Sequence, residues 1–394
     1  MSLHRSSVAL AALLAVSVLL GSPPCTAATH DHDHKPIVAR VRKDSSTSLY
    51  TIAIKAGGVP LLLDLAGPLL WLANCPSPHR TFPCDTGVCK VANWNHPPNC
   101  PYVPATACSK GAACTAYPYN PVDGRCGHDD ATTITLAANA TDGKNPLFPV
   151  SFRAVGSCAP GELLASLPPG AAGVAGLSRL PLSLPWQVGY RLDVPKQFAL
   201  CLPGGSGSDG VAVFGGGPFQ LLAAPPVEIA AGLRENQLPL LRNPKINNGA
   251  YYFRITGVTV NQEKVPTPPG AFDLDPRRGT GGAVFSTASA LGVTRLGYAV
   301  ANIDLMLEGG QNWTLSGGSS LVQVDEHTVC FAIVEMGASM PAAANSPAVI
   351  VGGFQMEERL LMFDLEKGTF GFSGPLSGIR TGCSNFNFTM GKPE

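Results

Sequence analysis

Charge is scarce in this 394-residue chain: Asp, Glu, Lys and Arg make up 14%, against about 25% in an average domain. The 27 basic residues are matched by 27 acidic ones, so the formal net charge is zero. That balance excludes a nucleic-acid binder held by phosphate contacts. Few charges also leave little to cover the exposed faces of long helices, which argues against bundles and coiled coils. Beyond the N-terminus no apolar run approaches eighteen residues, so no membrane span is expected. Nucleotide-binding glycine spacings are missing as well, and Gly215-Gly216-Gly217 reads as a turn. The cysteines do not fall into paired C-x-x-C zinc spacings, so neither a metal nor a cofactor is expected. Ser286 has no histidine near it in sequence, and His327 is the only histidine in the second half. A serine triad therefore has no support.

What is present is Gly 44 and Pro 36, together about a fifth of the chain where roughly 12% is usual. With hydrophobic residues at 45%, this composition reads as loop-rich, mainly β and amply able to form a core. The length exceeds what one compact core usually holds, so two lobes are expected. Residues 1–28 have the layout of a secretory signal peptide: His4 and Arg5, the apolar run Val8 to Leu20, then small residues at Ala27 and Ala28. The following His30-Asp31-His32-Asp33-His34 reads as a solvated leader rather than a preorganised metal site, and 29–47 as a disordered N-terminus. Of 12 cysteines, eight crowd between Cys75 and Cys158, and in an oxidising compartment these are read as disulfides. Cys25 lies in the signal peptide, so the mature chain keeps an odd number and at least one thiol lacks an intramolecular partner. Asn139, Asn312 and Asn387 each open an Asn-x-Thr glycan acceptor and are expected at exposed positions. All of this points to a secreted, extracellular protein.

Short β segments punctuated by turns follow from Ser48 onward. Strands are expected at Leu49–Ile54, Leu61–Asp64, Leu69–Leu72, Phe148–Phe152, Phe198–Leu202, Val211–Phe214, Tyr251–Val260, Leu321–Val324 and Val349–Val351. A short helix is expected near Leu182–Tyr190, and a disulfide-stapled Pro-rich loop over Cys75–Cys126.

Several segments, taken in order, resemble the pepsin-like aspartic proteinases of plants, of the nepenthesin type with a cysteine-rich insert. Leu63-Asp64-Leu65-Ala66-Gly67-Pro68-Leu69-Leu70-Trp71 stands at the first active-site loop, and Cys114 to Tyr119 at the flap. Gly173 to Pro185 matches the segment crossing under the first loop, and Gly281 to Ala288 the second loop. Ile350 to Gln355, Phe363 to Glu366 and Gly371-Phe372 match the closing segment. More narrowly the chain is similar to the TAXI-type xylanase inhibitors of cereals, through Ser48 to Ile52, Leu63 to Pro68, Thr115 to Val122, Leu164 to Pro168, Phe214 to Pro218 and Val334 to Met336. The resemblance implies a mainly β, bilobal pepsin-like fold: 48–218 as the N-terminal lobe with the cysteine-rich insert, 219–383 as a shortened C-terminal lobe, and 384–394 as a tail.

In that frame Asp64 is kept, but Leu65 and Ala66 replace the Thr and Gly of the family's Asp-Thr-Gly, Ser286 replaces the second Asp, and Ala288 replaces the second glycine. Aspartic proteolysis needs two carboxyls sharing one proton, and a serine hydroxyl does not replace one, so no protease activity is expected. The resemblance implies a monomeric inhibitor of microbial xylanases of glycoside hydrolase family 11, secreted to the apoplast or cell wall in plant defence. Such inhibitors insert two second-lobe loops into the xylanase cleft. One precedes the final Thr381-Gly382-Cys383, and here reads Ser377-Gly378-Ile379-Arg380, without the family's histidine. Ile379 and Arg380 are candidates for target binding, Arg380 through its forked donors. The other corresponds to Leu291-Gly292-Val293-Thr294-Arg295-Leu296-Gly297, with Leu291 and Leu296 as candidates. Between Ala290 and Leu291 the chain lacks a segment that its relatives have, which supplies a helix and one cysteine. By resemblance Cys201 then pairs with Cys383, and Cys330 is left free. The alternative function is a non-inhibitory binding or storage-like protein of the same fold, or an inhibitor of another glucanase.

Overall fold

The computed structural model describes residues 35–390, apart from 95, 98–99, 101–107, 109–110, 143–145, 224–226, 246–247, 289–299, 326 and 337–345. The expected signal peptide and the joint at 290/291 therefore lie outside the described residues. Strands dominate. In the N-terminal half they are β1 (Ile37–Lys43), β2 (Tyr50–Ile52), β3 (Leu61–Asp64), β4 (Trp71–Ala73), β5 (Thr115–Ala116), β6 (Asp129–Ala140), β7 (Phe148–Ala159), β8 (Gly173–Gly176), β9 (Gln197–Cys201) and β10 (Asp209–Phe214). Two helices join them, α1 (Gly87–Asn93) and α2 (Leu184–Leu192). The long β6–β7 hairpin pairs from Ala131 opposite Ser157 to Ala140 opposite Phe148. Along β6 the inward side chains Ile134, Leu136, Ala138 and Ala140 are buried at every second position, as a one-sided sheet requires.

One 13-stranded sheet joins the two halves. Leu360–Asp364 of the C-terminal half pairs antiparallel with β9, and β9 with β10, which leads through β1 and β2 to β3 and β8. Beneath it a stacked aromatic core, Phe198, Tyr251, Phe363, Phe253 and Phe285, carries side chains from both halves. Thr369–Phe372 and Leu238–Pro239 extend the large sheet, and the remaining C-terminal strands form a three-stranded sheet (Tyr252–Phe253, Ala283–Ser286, Val349–Gly352), a four-stranded one built on Ile255–Val260, and two two-stranded pairs, Gln220–Leu221 with Val227–Glu228 and Leu321–Gln323 with Val329–Phe331.

Three expectations are corrected. Residues 37–43, expected within a disordered leader, form β1 between β10 and β2, with Ile37, Val38 and Val41 fully buried. The expected loop over Cys75–Cys126 contains α1, whose first turn is capped by Thr86. Much of the tail is docked rather than loose: Phe386 and Phe388 pack against a cluster containing Val38, Phe219 and Leu376, and the Leu147 N–H donates to Thr389 O at 2.9 Å.

Five disulfides staple this frame: Cys75–Cys158, Cys84–Cys108, Cys89–Cys114, Cys100–Cys126 and Cys201–Cys383. The first four fix the cysteine-rich segment to itself and to β7, and the fifth closes the C-terminal half onto β9. Cys330 is exposed and free.

Candidate functional site

β3 is buried at all four residues, so its sequence Leu-Leu-Leu-Asp is what a strand covered on both faces demands. It runs parallel to β8, with Asp64 opposite Gly176. The chain turns immediately: the Ala66 N–H donates to Asp64 Oδ1 at 3.0 Å, and the Gly67 N–H to Asp64 O at 3.2 Å. A Cβ on Gly67 would stand 2.7 Å from Gly176 Cα and 2.9 Å from Asp64 Oδ2, so only glycine closes this turn.

The second loop repeats this plan. Ala283–Ser286 runs parallel to Val349–Gly352, with Ser286 opposite Gly352 as Asp64 is opposite Gly176. The two loops meet through Thr287, which is fully buried. Its hydroxyl donates to Leu63 O at 2.7 Å and accepts from the Leu65 N–H at 3.1 Å. Leu65 occupies the corresponding place on the first loop, has no hydroxyl to return the contact, and is buried in the core instead. The clasp is therefore one-sided, and it ties Thr287, next to Ser286, to the residues on either side of Asp64.

Burial raises the Asp64 carboxyl from 3.8 to about 6, against the opposing pull of the Ala66 and Gly67 amides. The segment resembling the flap is anchored on β4 and on the residues after β7. The Trp71 indole donates to Tyr119 O at 3.0 Å, and Asn120, fully buried, donates to Leu163 O at 2.8 Å and Ser166 Oγ at 2.9 Å. The Tyr119 phenol is pushed up by burial first, then by the negative charges of Asp64 and Asp123. Beside the loop an apolar pocket opens between Leu69, Ala92, Trp94, Tyr117 and Leu182. Among the described residues no His, Cys, Asp and Glu cluster is arranged to hold a metal ion. Chemically, the first loop presents one carboxyl, raised by burial to about 6, and the second loop ends its strand on the hydroxyl of Ser286.

Ile379 and Arg380 lie elsewhere, on the exposed turn Leu376–Ile379 closed by Arg380 in a left-handed conformation (φ 55°). That turn is firmly seated: Leu376 is fully buried, its N–H donates to Glu358 O at 2.9 Å, and the Thr381 hydroxyl donates to Leu222 O at 2.9 Å. Leu376 and Cys383 pack with Val38, Cys201 and Phe219, a cluster distinct from the one holding Leu63 and Leu65. Leu291 and Leu296 lie outside the described residues. Of the glycan acceptors, Asn312 is exposed at a strand end, while Asn387 is half-buried. Asn139 is half-buried within β6, and the Thr141 of its acceptor triplet is buried, contrary to the exposure expected of it.

Sequence reasoning assigned no role to Thr287 or to the exposed Trp94 at the end of α1. For Thr287 the signal was there: it is the middle residue of the second loop motif, the one residue of that motif still matching its family counterpart.

Residues 50–216 match the family described as "Xylanase inhibitor N-terminal", and residues 287–374 the family "Xylanase inhibitor C-terminal". The chain is 44% identical over 441 residues to a protein of Oryza sativa subsp. japonica named "Chitinase CLP", covering 99% of this chain and 100% of that one. That alignment is longer than the 394-residue chain, so the rice protein carries residues that this chain lacks. It is also 28% identical to "Probable aspartic proteinase GIP2" of Nicotiana benthamiana, over 98% of this chain and 99% of that one. Among solved structures it is similar to "edgp", with a TM-score of 0.76 and 26% identity over 90% of this chain and 98% of that chain. The basic 7S globulin from soybean matches with a TM-score of 0.68 and 25% identity, over 90% of this chain and 99% of that one. The bilobal, pepsin-like architecture is shared with these structures.

Proposed function

The chain belongs to the xylanase-inhibitor family, and from that premise we propose that it is a secreted, non-proteolytic inhibitor of microbial endo-xylanases of glycoside hydrolase family 11, acting in plant defence. The observation that carries the reading is the lone carboxyl at the paired loops: Asp64 on one, Ser286 on the other, held by a one-sided clasp. Peptide hydrolysis needs one carboxyl as base and a second as acid, so this scaffold grips rather than cuts. Five disulfides, the exposed glycan acceptor at Asn312 and the signal-peptide layout support an extracellular location.

Such a xylanase works with two carboxyls flanking the scissile bond in a cleft. An inhibitor gains most from a rigid, desolvated anchor ringed by water-excluding contacts. The turn ending in Ile379 and Arg380 has the rigidity, because the Cys201–Cys383 disulfide and the Glu358 carboxylate, which accepts from the Cys383 and Gly204 N–H groups, hold its base. Ile379 is the apolar anchor and the Arg380 guanidinium the donor to a catalytic carboxylate.

A second reading, a non-inhibitory binding or storage-like protein or an inhibitor of another glucanase, is favoured by the missing histidine in Ser377-Gly378-Ile379-Arg380 and by the likeness to a seed globulin. The rice relative's printed name adds chitin as a substrate to assay. The deciding experiment adds purified protein stoichiometrically to several fungal and bacterial family 11 xylanases, with Arg380→Ala beside the parent. Inhibition by the parent, weakened roughly tenfold or more in Arg380→Ala, about 1.4 kcal/mol, is expected. Undiminished xylanase activity across the panel rejects the reading. Hydrolysis of chitin oligomers, or pepstatin-sensitive cleavage of casein at acid pH, would replace it with an enzymatic one.

A further inference from the structure

Among the described residues, a histidine ring and a carboxylate lie against the Cys75–Cys158 disulfide. The His79 ring stands beside it, with Nδ1 3.2 Å from Pro76 O. A carbonyl only accepts, so Nδ1 carries a proton and Nε2 is the nitrogen left to gain or lose one. Nε2 lies 3.5 Å from Cys158 Sγ and 3.6 Å from Asp130 Oδ2. The ring thus faces the sulfur from β7, a carboxylate from β6 and a carbonyl from its own loop. The two cysteines are also unequal in exposure: Cys158 is 1% exposed, while Cys75 as a residue is only partly buried.

We propose that Cys75–Cys158 is a redox modification site, a disulfide primed for exchange with a dithiol reductant by His79 and Asp130. The reductant's first thiolate attacks Cys75 Sγ, the sulfur of the less buried cysteine. A mixed disulfide forms at Cys75, the Cys75–Cys158 bond breaks, and its electron pair leaves on Cys158 Sγ. The His79 imidazolium, held by the Asp130 carboxylate, gives its Nε2 proton to that leaving thiolate. The reductant's second thiol, as thiolate, then attacks its own mixed-disulfide sulfur and expels Cys75 as a thiolate, which takes a proton from solvent. Two cysteine thiols result, and the reductant departs as a disulfide carrying the two-electron oxidation. A cation beside the departing sulfur favours thiolate, and a better leaving thiolate speeds exchange.

The place of this bond in the fold gives the exchange a consequence. β4 runs parallel to β7 with Leu72 opposite Cys158, so the bond anchors the point where the cysteine-rich segment leaves the sheet. That segment carries α1, β5, Tyr117 and Tyr119, the roof over Asp64 and its apolar pocket. Opening this one bond frees the roof's near end, while the Cys84–Cys108, Cys89–Cys114 and Cys100–Cys126 bonds keep it folded on itself. The inference is independent of the xylanase reading.

The test treats native protein with a limiting dithiol such as dithiothreitol, quenches by alkylation, and follows each of the five bonds by peptide mass spectrometry. Cys75–Cys158 is expected to open roughly tenfold or more faster than Cys201–Cys383, whose sulfurs are fully buried. His79→Gln should slow that opening roughly tenfold and leave the other four rates unchanged, and Asp130→Asn should slow it in the same selective way. Opening no faster than Cys201–Cys383 in the parent overturns the proposal, and so does a parental rate at this bond in His79→Gln. Should His79→Gln speed all five bonds through loss of folding, the parent ranking and Asp130→Asn decide.

Discussion

At the scale of single residues, Asp64 combines a carboxyl's chemistry with a burial that works against its charge. It is 6% exposed and its carboxyl is raised from 3.8 to about 6, mainly by loss of solvation. The folded state therefore holds this proton more tightly than the unfolded chain. Below 3.8 both states are protonated and the group is neutral to folding; between 3.8 and about 6 the unfolded state ionises first, and stability falls as pH rises. Above that window the loss is complete, on the order of 3 kcal/mol. Asp64→Asn has nothing to titrate, and its side-chain oxygen still accepts from the Ala66 N–H. Relative to the parent, Asp64→Asn should gain about 2 kcal/mol between pH 4 and pH 7, since part of the loss is already present at pH 4, read from urea midpoints at the two pH values. A difference that stays constant with pH would mean the carboxyl titrates alike in both states. Asp64 and Ser286 were legible in the sequence because each ends an apolar strand inside an ordered series of motifs. The one-sided clasp was not: the hydroxyl of Thr287 finds its partners 222 and 224 positions away, and no local pattern records that Leu65 turns into the core.

Among the elements, most interior strands are apolar runs closed by Gly or Pro, and these were legible. β1 was not, because Ile-Val-Ala-Arg-Val-Arg-Lys mixes three cations into a strand that only its distant partners make intelligible. Ile37 lies opposite Phe214 of β10, and Arg40 and Arg42 both reach Asp209. Lys43 ends the strand inside the protein: its Nζ is 2.7 Å from Glu357 Oε1, which also accepts from the Tyr50 hydroxyl at 2.6 Å. Lys43 and Glu357 are 8% and 3% exposed, and they join β1 to the C-terminal half. Removing one member of such a pair strands a buried charge, whereas replacing both by apolar groups of similar size need not. Lys43→Met should cost about 3–5 kcal/mol by denaturant unfolding, and Lys43→Met with Glu357→Leu should recover most of it. Equal losses in the single and double variants would show that the pair does not couple the two halves. α1 was missed for a different reason. Thr86 caps it and the Cys84–Cys108 and Cys89–Cys114 bonds hold it, so a helix of seven residues persists where composition alone reads as loop.

For the whole molecule, the ordered motifs made the bilobal plan legible, while one hairpin of the C-terminal half leaves an apolar face and a thiol exposed. The hairpin Leu321–Gln323 with Val329–Phe331 and its exit leave Val324, Phe331, Ile333 and Val334 at 62, 49, 42 and 67% exposure. Cys330, the free thiol, sits in the middle of its outer strand. A globular protein seldom leaves several large apolar groups together in water without a cover, and in a chain with five disulfides an exposed thiol is equally out of keeping. Both features have one explanation if the additional residues of the longer rice relative pack on this hairpin and supply the partner cysteine. A chain freed of residues 1–28 should then titrate one thiol without denaturant, and Cys330→Ser none. Inserting the relative's additional segment between Ala290 and Leu291 should abolish the thiol titre, create a sixth disulfide detectable by peptide mapping, and lower the binding of an apolar dye such as anilinonaphthalene sulfonate. If the inserted chain keeps its reactive thiol and its dye binding, the hairpin is not the seat of the absent segment, and the exposed strand belongs to this protein's own surface.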